Sequence, residues 1–267
     1  MNSILRRAVY IGMLGALSAS VSTSADDLQS NSRSNGEAGC SALPSYSQLK
    51  EALTVARNQG NGGFNLDMWG TVVNRDGIVC AVAFTGDDRG SQWPGSRVIS
   101  AQKANTANSF SLPALALSTA NLYAAVQPGG SLYGLQHSNP VETLAAYQGP
   151  ASRFGRSNDP MVGSRIGGVN VFGGGLALYN SKQQLVGAVG VSGDTSCADH
   201  NVAWRMREAL GLNKVPAGVN PNRKDAIVFD LGVDGKSASG FGHVKCAGDE
   251  ADIADELAAG VGGRSLK

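Results

Sequence analysis

The 267 residues carry 22 basic and 21 acidic side chains, 42% hydrophobic residues and 36 glycines. That length suits one domain with extensions, and the apolar content is enough for a packed core. So even a charge balance excludes the basic face of a nucleic-acid binder and gives no attraction to anionic membranes.

Residues 1–25 combine a basic start (Arg6, Arg7), an apolar run of about ten residues and a small-residue end at Ala25, the layout of a cleaved secretory signal peptide. The run falls short of the roughly 18 apolar residues of a membrane span, so no membrane insertion is expected. Without the leader, 20 basic residues face 21 acidic ones. Export to the periplasm or the medium follows as the expected localisation. Cys40, Cys80, Cys197 and Cys246 all lie in the exported part, where an even count reads as two disulfides with three possible connectivities. The pairing Cys40–Cys80 and Cys197–Cys246 would pin each terminal extension onto the central domain.

Residues 26–39 are polar and read as a disordered lead-in. A helix follows: Ser45 and Gln48 fit a capping box, Leu49, Ala52, Leu53 and Ala56 form one apolar stripe, and Gly60 stops it. Two β-branched runs around Asn74-Arg75-Asp76-Gly77 predict a hairpin. After the loop GDDRGSQWPGS, RVISAQKANTANSF reads as a helix, and Pro113 opens a further helical stretch to Val126. Residues 127–165 form a long loop with a short helix near 140–147. Strands are expected at 169–172, 176–180 and 184–191, with a turn at Asn180-Ser181-Lys182. CADHNVAWRMREALGL closes the domain as a helix. Residues 212–267 form an extension that turns irregular beyond Pro216 and ends in a loose tail. The order of elements predicts an α+β fold with a mostly antiparallel sheet.

The glycine-rich stretch VFGGGLALYNSKQQLVGAVGVSGD lacks the lysine of a P-loop and runs from strand to strand, not strand to helix. Its GVSGD does not match a nucleophile elbow. Two readings stay open: the glycines permit a bulge or tight bend, or they let a flat ligand lie against the main chain.

Three stretches, VVNRDGIVCAVAFTGDDRG, SAQKANTANSFSL and GGVNVFGGGLALYNSKQQLVGAVGVSGDTSCADHNVAWRMREALG, together resemble the haem-binding GlcG–HbpS family, which includes the C-terminal domain of some corrinoid adenosyltransferases. The likeness runs over about 45–211, within a domain taken as 40–211. It implies a compact domain with a five-stranded, largely antiparallel sheet flanked by helices, assembly into homo-oligomers, and binding of haem or a related tetrapyrrole, with iron as a further ligand. It also implies a pocket walled by the hairpin Gly173, Gly174, Gly175 and its exit Gly193-Asp194, with Lys103, Asn105 and Thr106 on the neighbouring helix. A planar guest would then rest on a main chain kept poor in side chains.

Of three histidines, His200 falls in the first turn of the closing helix, where the helix dipole disfavours imidazolium and favours the neutral form that binds iron. Trp204, one turn on, shares its face and suits packing against a porphyrin. His137 is a second candidate metal ligand on a loop; His243, near a cysteine, reads as structural. Asp87 and Asp88 read as a solvated turn. Lys103 suits a propionate or, equally, a helix surface. No catalytic signature stands out. The alternatives to a haem-binding protein are an enzyme acting on a small organic molecule in the same pocket and a sensory or structural oligomeric partner protein.

Overall fold

The computed structural model describes residues 39–260. The leader 1–25, nearly all of the lead-in 26–39 and the last seven residues lie outside the described residues.

Helix α1, Tyr46–Arg57, starts at Ser45 with both halves of the capping box made, Gln48 N–H to Ser45 Oγ at 3.4 Å and Ser45 N–H to Gln48 Oε1 at 2.9 Å. Its stripe Leu49, Ala52, Leu53, Ala56 is buried, and the helix closes at Asn58, two residues before Gly60. Strands β1, Trp69–Asn74, and β2, Val79–Phe84, form the expected hairpin. Gly77 takes a left-handed φ of 74° and donates to Asn74 O at 3.0 Å, while Asn74 Oδ1 caps the N–H groups of Asp76 and Ile78 at 2.9 Å.

Helix α2, Ser96–Phe110, crosses behind β1 and β4, and strands β3, Gly175–Tyr179, and β4, Leu185–Ser192, form the second hairpin. The sheet order is β2-β1-β4-β3, all antiparallel. It has four strands, not the five that the resemblance implied. The expected strand 169–172 is extended chain outside the sheet, because its N–H groups are taken by other partners. Val169 donates to Asn139 O, Asn170 to Thr106 Oγ1 and Phe172 to its neighbour Asn170 Oδ1.

The strands alternate between two apolar layers. Val72, Leu176, Leu178, Val189 and Val191 face α1 and helix α3, Ser196–Ala209; Trp69, Val73, Val82 and Ala188 face α2 and the 141–166 segment. The helix expected from Pro113 is instead a turn at 112–115, a 3-10 turn Thr119–Leu122 capped by Ser118 and one α-turn Tyr123–Val126. The expected short helix near 140–147 is the single turn Thr143–Ala146. The loose tail is in part helix α4, Glu250–Ala258, whose Ile253, Ala254 and Leu257 are buried on the α3 side of the molecule.

Both disulfides have the favoured pairing. Cys40–Cys80 ties the entry of α1 to β2 and Cys197–Cys246 ties the extension to α3. Gly190 marks the closest helix–sheet approach, since a Cβ there would run into the Ser100 carbonyl of α2 and come within 2.5 Å of Ala104 N. Gly190→Ala therefore forces helix and sheet apart. We expect a loss of about 1–3 kcal/mol, read as a lower urea midpoint at unchanged slope.

Candidate functional site

The middle of α2 faces inward. Lys103 is buried, with Nζ 2.6 Å from Asp199 Oδ2 on α3 and 3.1 Å from Val191 O at the end of β4. Burial pushes the Asp199 carboxyl up to about 6, against the pull of the Lys103 ammonium. The other Asp199 oxygen accepts the Asp194 N–H at 2.9 Å. Asp194 in turn accepts from the backbone of Phe64, Leu66 and Thr195. Asn105 donates to Gly168 O, and Thr106 Oγ1 donates to Gln102 O and accepts from Asn170. The charge of Lys103 is thus directed at Asp199, and Asn105 and Thr106 hold the 168–170 crossing.

Gly173, Gly174 and Gly175 meet the chain's own atoms. A Cβ at Gly173 would strike the Ser196 carbonyl and lie 3.1 Å from His200 Cβ; one at Gly174 would lie 3.0 Å from Asp199 Cβ and 3.2 Å from Lys103 Nζ; one at Gly175 would strike Thr119 and the Lys103 carbonyl. At Gly193 it would be 2.5 Å from Asp67 O. The surface expected to receive a planar guest is filled by α2, α3 and Thr119, so the first of the two readings of the glycines, close backbone packing, accounts for them.

His200 is buried on α3, and neither ring nitrogen has a hydrogen-bond partner. Burial, aided by Arg207, His243 and Lys103, pushes its pKa down to about 3, so the ring is neutral. Trp204 lies one turn on, ring centroids 6.1 Å apart, under the Arg207 guanidinium at 4.6 Å. Buried His243 packs at a tilt of 49° against Tyr123, ring centroids 4.8 Å apart, with Nδ1 2.7 Å from Val244 O, and burial pushes its pKa down to about 4. His137 is exposed on the turn Leu135–Ser138. Asp87 and Asp88 are exposed in a loop where Asp88 accepts the Gly90 N–H at 2.6 Å.

The structure therefore gathers Lys103, Gly173–Gly175, Asp194, Asp199 and His200 into one interior network and leaves His137 apart. A cleft was not foreseen. Trp69, Pro94, Gly95, Tyr147, Ala151 and Phe154, with Asp88–Gly90, line a cavity of about 430 Å³. Its wall is rigid: the Arg97 guanidinium sits 3.7 Å from the Phe154 ring centre and is paired with buried Asp159, and Trp69 Nε1 donates to Trp93 O at 3.1 Å. The signal was in the sequence as Trp93-Pro94, Tyr147 and Phe154, aromatic residues set in glycine- and proline-rich loops.

Residues 45–207 match the model of a family described as haem degrading protein, HbpS-like. The chain belongs to the HbpS-like family. Similar solved structures include PduOC in complex with haem, 22% identical over 63% of this chain and 94% of that one with a TM-score of 0.44, and the Klebsiella pneumoniae protein ORFY, 26% identical over 61% and 86% with a TM-score of 0.42. A third is HbpS, 16% identical over 62% and 86% with a TM-score of 0.38. No curated protein sequence matches the chain at a significant level. The HbpS-like stretch runs from α1 to Arg207 and includes the cleft; His243, Cys246 and α4 lie beyond it.

The two buried histidines set a pH dependence. Each has a folded pKa below the usual 6.5, so the unfolded chain takes up protons first as pH falls. They cost stability progressively from about pH 6.5 down to about 4 for His243 and about 3 for His200, while Asp199, raised from 3.8 to about 6, acts in the opposite sense between about 6 and 3.8. His243→Gln should shrink the loss of urea stability between pH 7 and 4.5, by up to about 1.4 kcal/mol per pH unit. An unchanged slope would show that His243 protonates freely in the folded state.

Proposed function

We propose that this chain is an exported haem- or tetrapyrrole-binding protein, working in the periplasm or outside the cell as a homo-oligomer, with iron as a lesser ligand. The domain is the 40–211 unit, preceded by a cleaved leader and followed by the 212–267 extension. The observation that carries the reading is an aromatic cleft in the stretch that matches a family of haem proteins. The residues fit such a group. Pro94, Tyr147 and Phe154 offer apolar and aromatic surface to a macrocycle over the floor formed by buried Trp69, exposed Arg89 suits a propionate, and Tyr147 carries a phenol, one of the side chains that hold haem iron. Haem would add a planar apolar surface and a metal centre there.

Export is supported by two disulfides and by the lack of a free cysteine among the described residues. No helix among the described residues is long and apolar enough to cross a membrane. Exposed Trp93 and Leu144 support self-association.

Haemin titrated into the purified chain should shift the Soret band at one equivalent. Tyr147→Phe should change the spectrum, and Arg89→Gln should weaken binding several-fold, with His200→Ala leaving both unchanged. A Soret shift lost only in His200→Ala would move the site to α3, and free-haemin spectra at every ratio would remove the binding claim.

A further inference from the structure

Buried polar side-chain atoms that lack a partner are confined to one seam among the described residues. They are His200 Nδ1 and Nε2, Asn201 Oδ1 and Arg207 Nε on α3, and His243 Nε2 and Glu250 Oε2 on the extension packed against it. An orphaned buried group loses its hydration without gaining a partner, and native proteins keep such groups few. Their concentration on a single interface points to a seam whose chemistry the disulfide form leaves unused.

The sequence on both sides of the seam has a mirrored pattern. On α3 it reads Cys197-Ala198-Asp199-His200, and on the extension His243-Val244-Lys245-Cys246. Cys197 and His200, three apart on a helix, share a face. The Val244 carbonyl links the other side, lying 3.6 Å from Cys197 Sγ and 2.7 Å from His243 Nδ1. If that Nδ1 carries its proton toward the carbonyl, the lone pair stays on Nε2, the atom without a partner. A hydrogen bond of this kind from the far ring nitrogen to a carbonyl orients a metal-ligating imidazole.

We propose that Cys197, His200, His243 and Cys246 form a Cys₂His₂ site for a divalent transition metal of the zinc class, which becomes available when the Cys197–Cys246 bond is reduced. In the oxidised form no group of three or more His, Cys, Asp or Glu side chains among the described residues is set to hold a metal ion, and both sulfurs are spent on each other. A dithiol reductant transfers two electrons to the bond, giving two thiols and its own disulfide. Metal binding then releases two protons as the thiols become thiolates. Two thiolates on a tetrahedral zinc lie about 3.7 Å apart, and the Cα–Cα separation of 6.1 Å accommodates that by side-chain rotation. Neutral His200 and His243 need lose no proton, and both orphaned imidazoles gain a partner. The site does not depend on haem binding, and it lies on α3 and the extension, away from the cleft residues.

The test uses the full chain, reduced with a phosphine that does not compete for metal, and Co²⁺ as the probe. One equivalent of Co²⁺ should bind with a thiolate-to-metal charge-transfer band and the intense visible bands of tetrahedral coordination. The oxidised protein should show neither. Cys197→Ser/Cys246→Ser should abolish the charge-transfer band while keeping Cys40 and Cys80, which separates the two cysteine pairs. His243→Gln and His200→Gln should each weaken binding at least tenfold, with circular dichroism of the reduced proteins monitoring the fold. No Co²⁺ uptake by the reduced chain, a weak octahedral spectrum, or affinity unchanged in both histidine variants would each overturn the proposal, whether or not the reduced chain stays folded.

Discussion

The buried pair of Lys103 and Asp199 is the contact on which most of the architecture depends. It joins the helix on one face of the sheet to the helix on the other, past the end of β4, at 2.6 Å. Both partners are almost wholly out of water, so removing either would strand a charge inside the molecule, at a cost of about 3–5 kcal/mol. Asp199 also accepts the Asp194 N–H, and the Asp194 carboxylate gathers the N–H groups of Phe64, Leu66 and Thr195. One network thereby fixes the middle of α2, the exit of β4, the approach to β1 and the start of α3. Gly174, at φ 114°, is required because any side chain there would press on both partners of the pair.

Two further buried ion pairs secure the irregular segments by the same means. Arg97 of α2 grips Asp159 and so holds the 147–161 loop against β1, and Arg207 of α3 grips Asp225 and holds the extension. Each arginine is also stacked on an aromatic ring, Phe154 and Trp204 respectively. A long segment without regular structure packs weakly by apolar contacts alone, and a forked guanidinium buried beneath it gives the segment a single position. The cleft owes its shape to this, because Phe154 rests on Arg97.

Features set by short-range rules were legible in the sequence. The capping box of Ser45 and Gln48, the Asn74–Gly77 turn, the apolar stripe of α1 and the closing helix can each be read from a few neighbouring residues, whereas the even cysteine count left three connectivities open for partners 40 and 49 residues apart. The strand expected at 169–172 fails because its backbone donors find Asn139, Thr106 and Asn170, two of them distant in sequence. Lys103 illustrates the harder case. Its spacing on the helix was visible, but its inward direction depends on Asp199, 96 residues later. The glycines at 173–175 gave the same signal for a ligand shelf as for tight packing, and only the Ser196 and Lys103 carbonyls above them decide between the two. The cleft is harder to read because β1, the 88–95 loop and the 147–154 loop each supply part of its lining.

The same geometry separates the two places where chemistry can occur. Trp69 and Phe154 belong to the apolar layer that β1 shares with α2, whereas α3 and its extension pack on the opposite layer. The sheet between them is only four strands wide and carries glycines at its helix contacts, so its faces are in close mechanical register. Lys103 bridges the two layers. Its side chain touches α3 and the end of β4, while its helix begins at Ser96 and Arg97, beside the cleft and beneath Phe154. Since removing either partner would leave a lone buried charge, the pair holds α2 and α3 at one spacing across the end of β4.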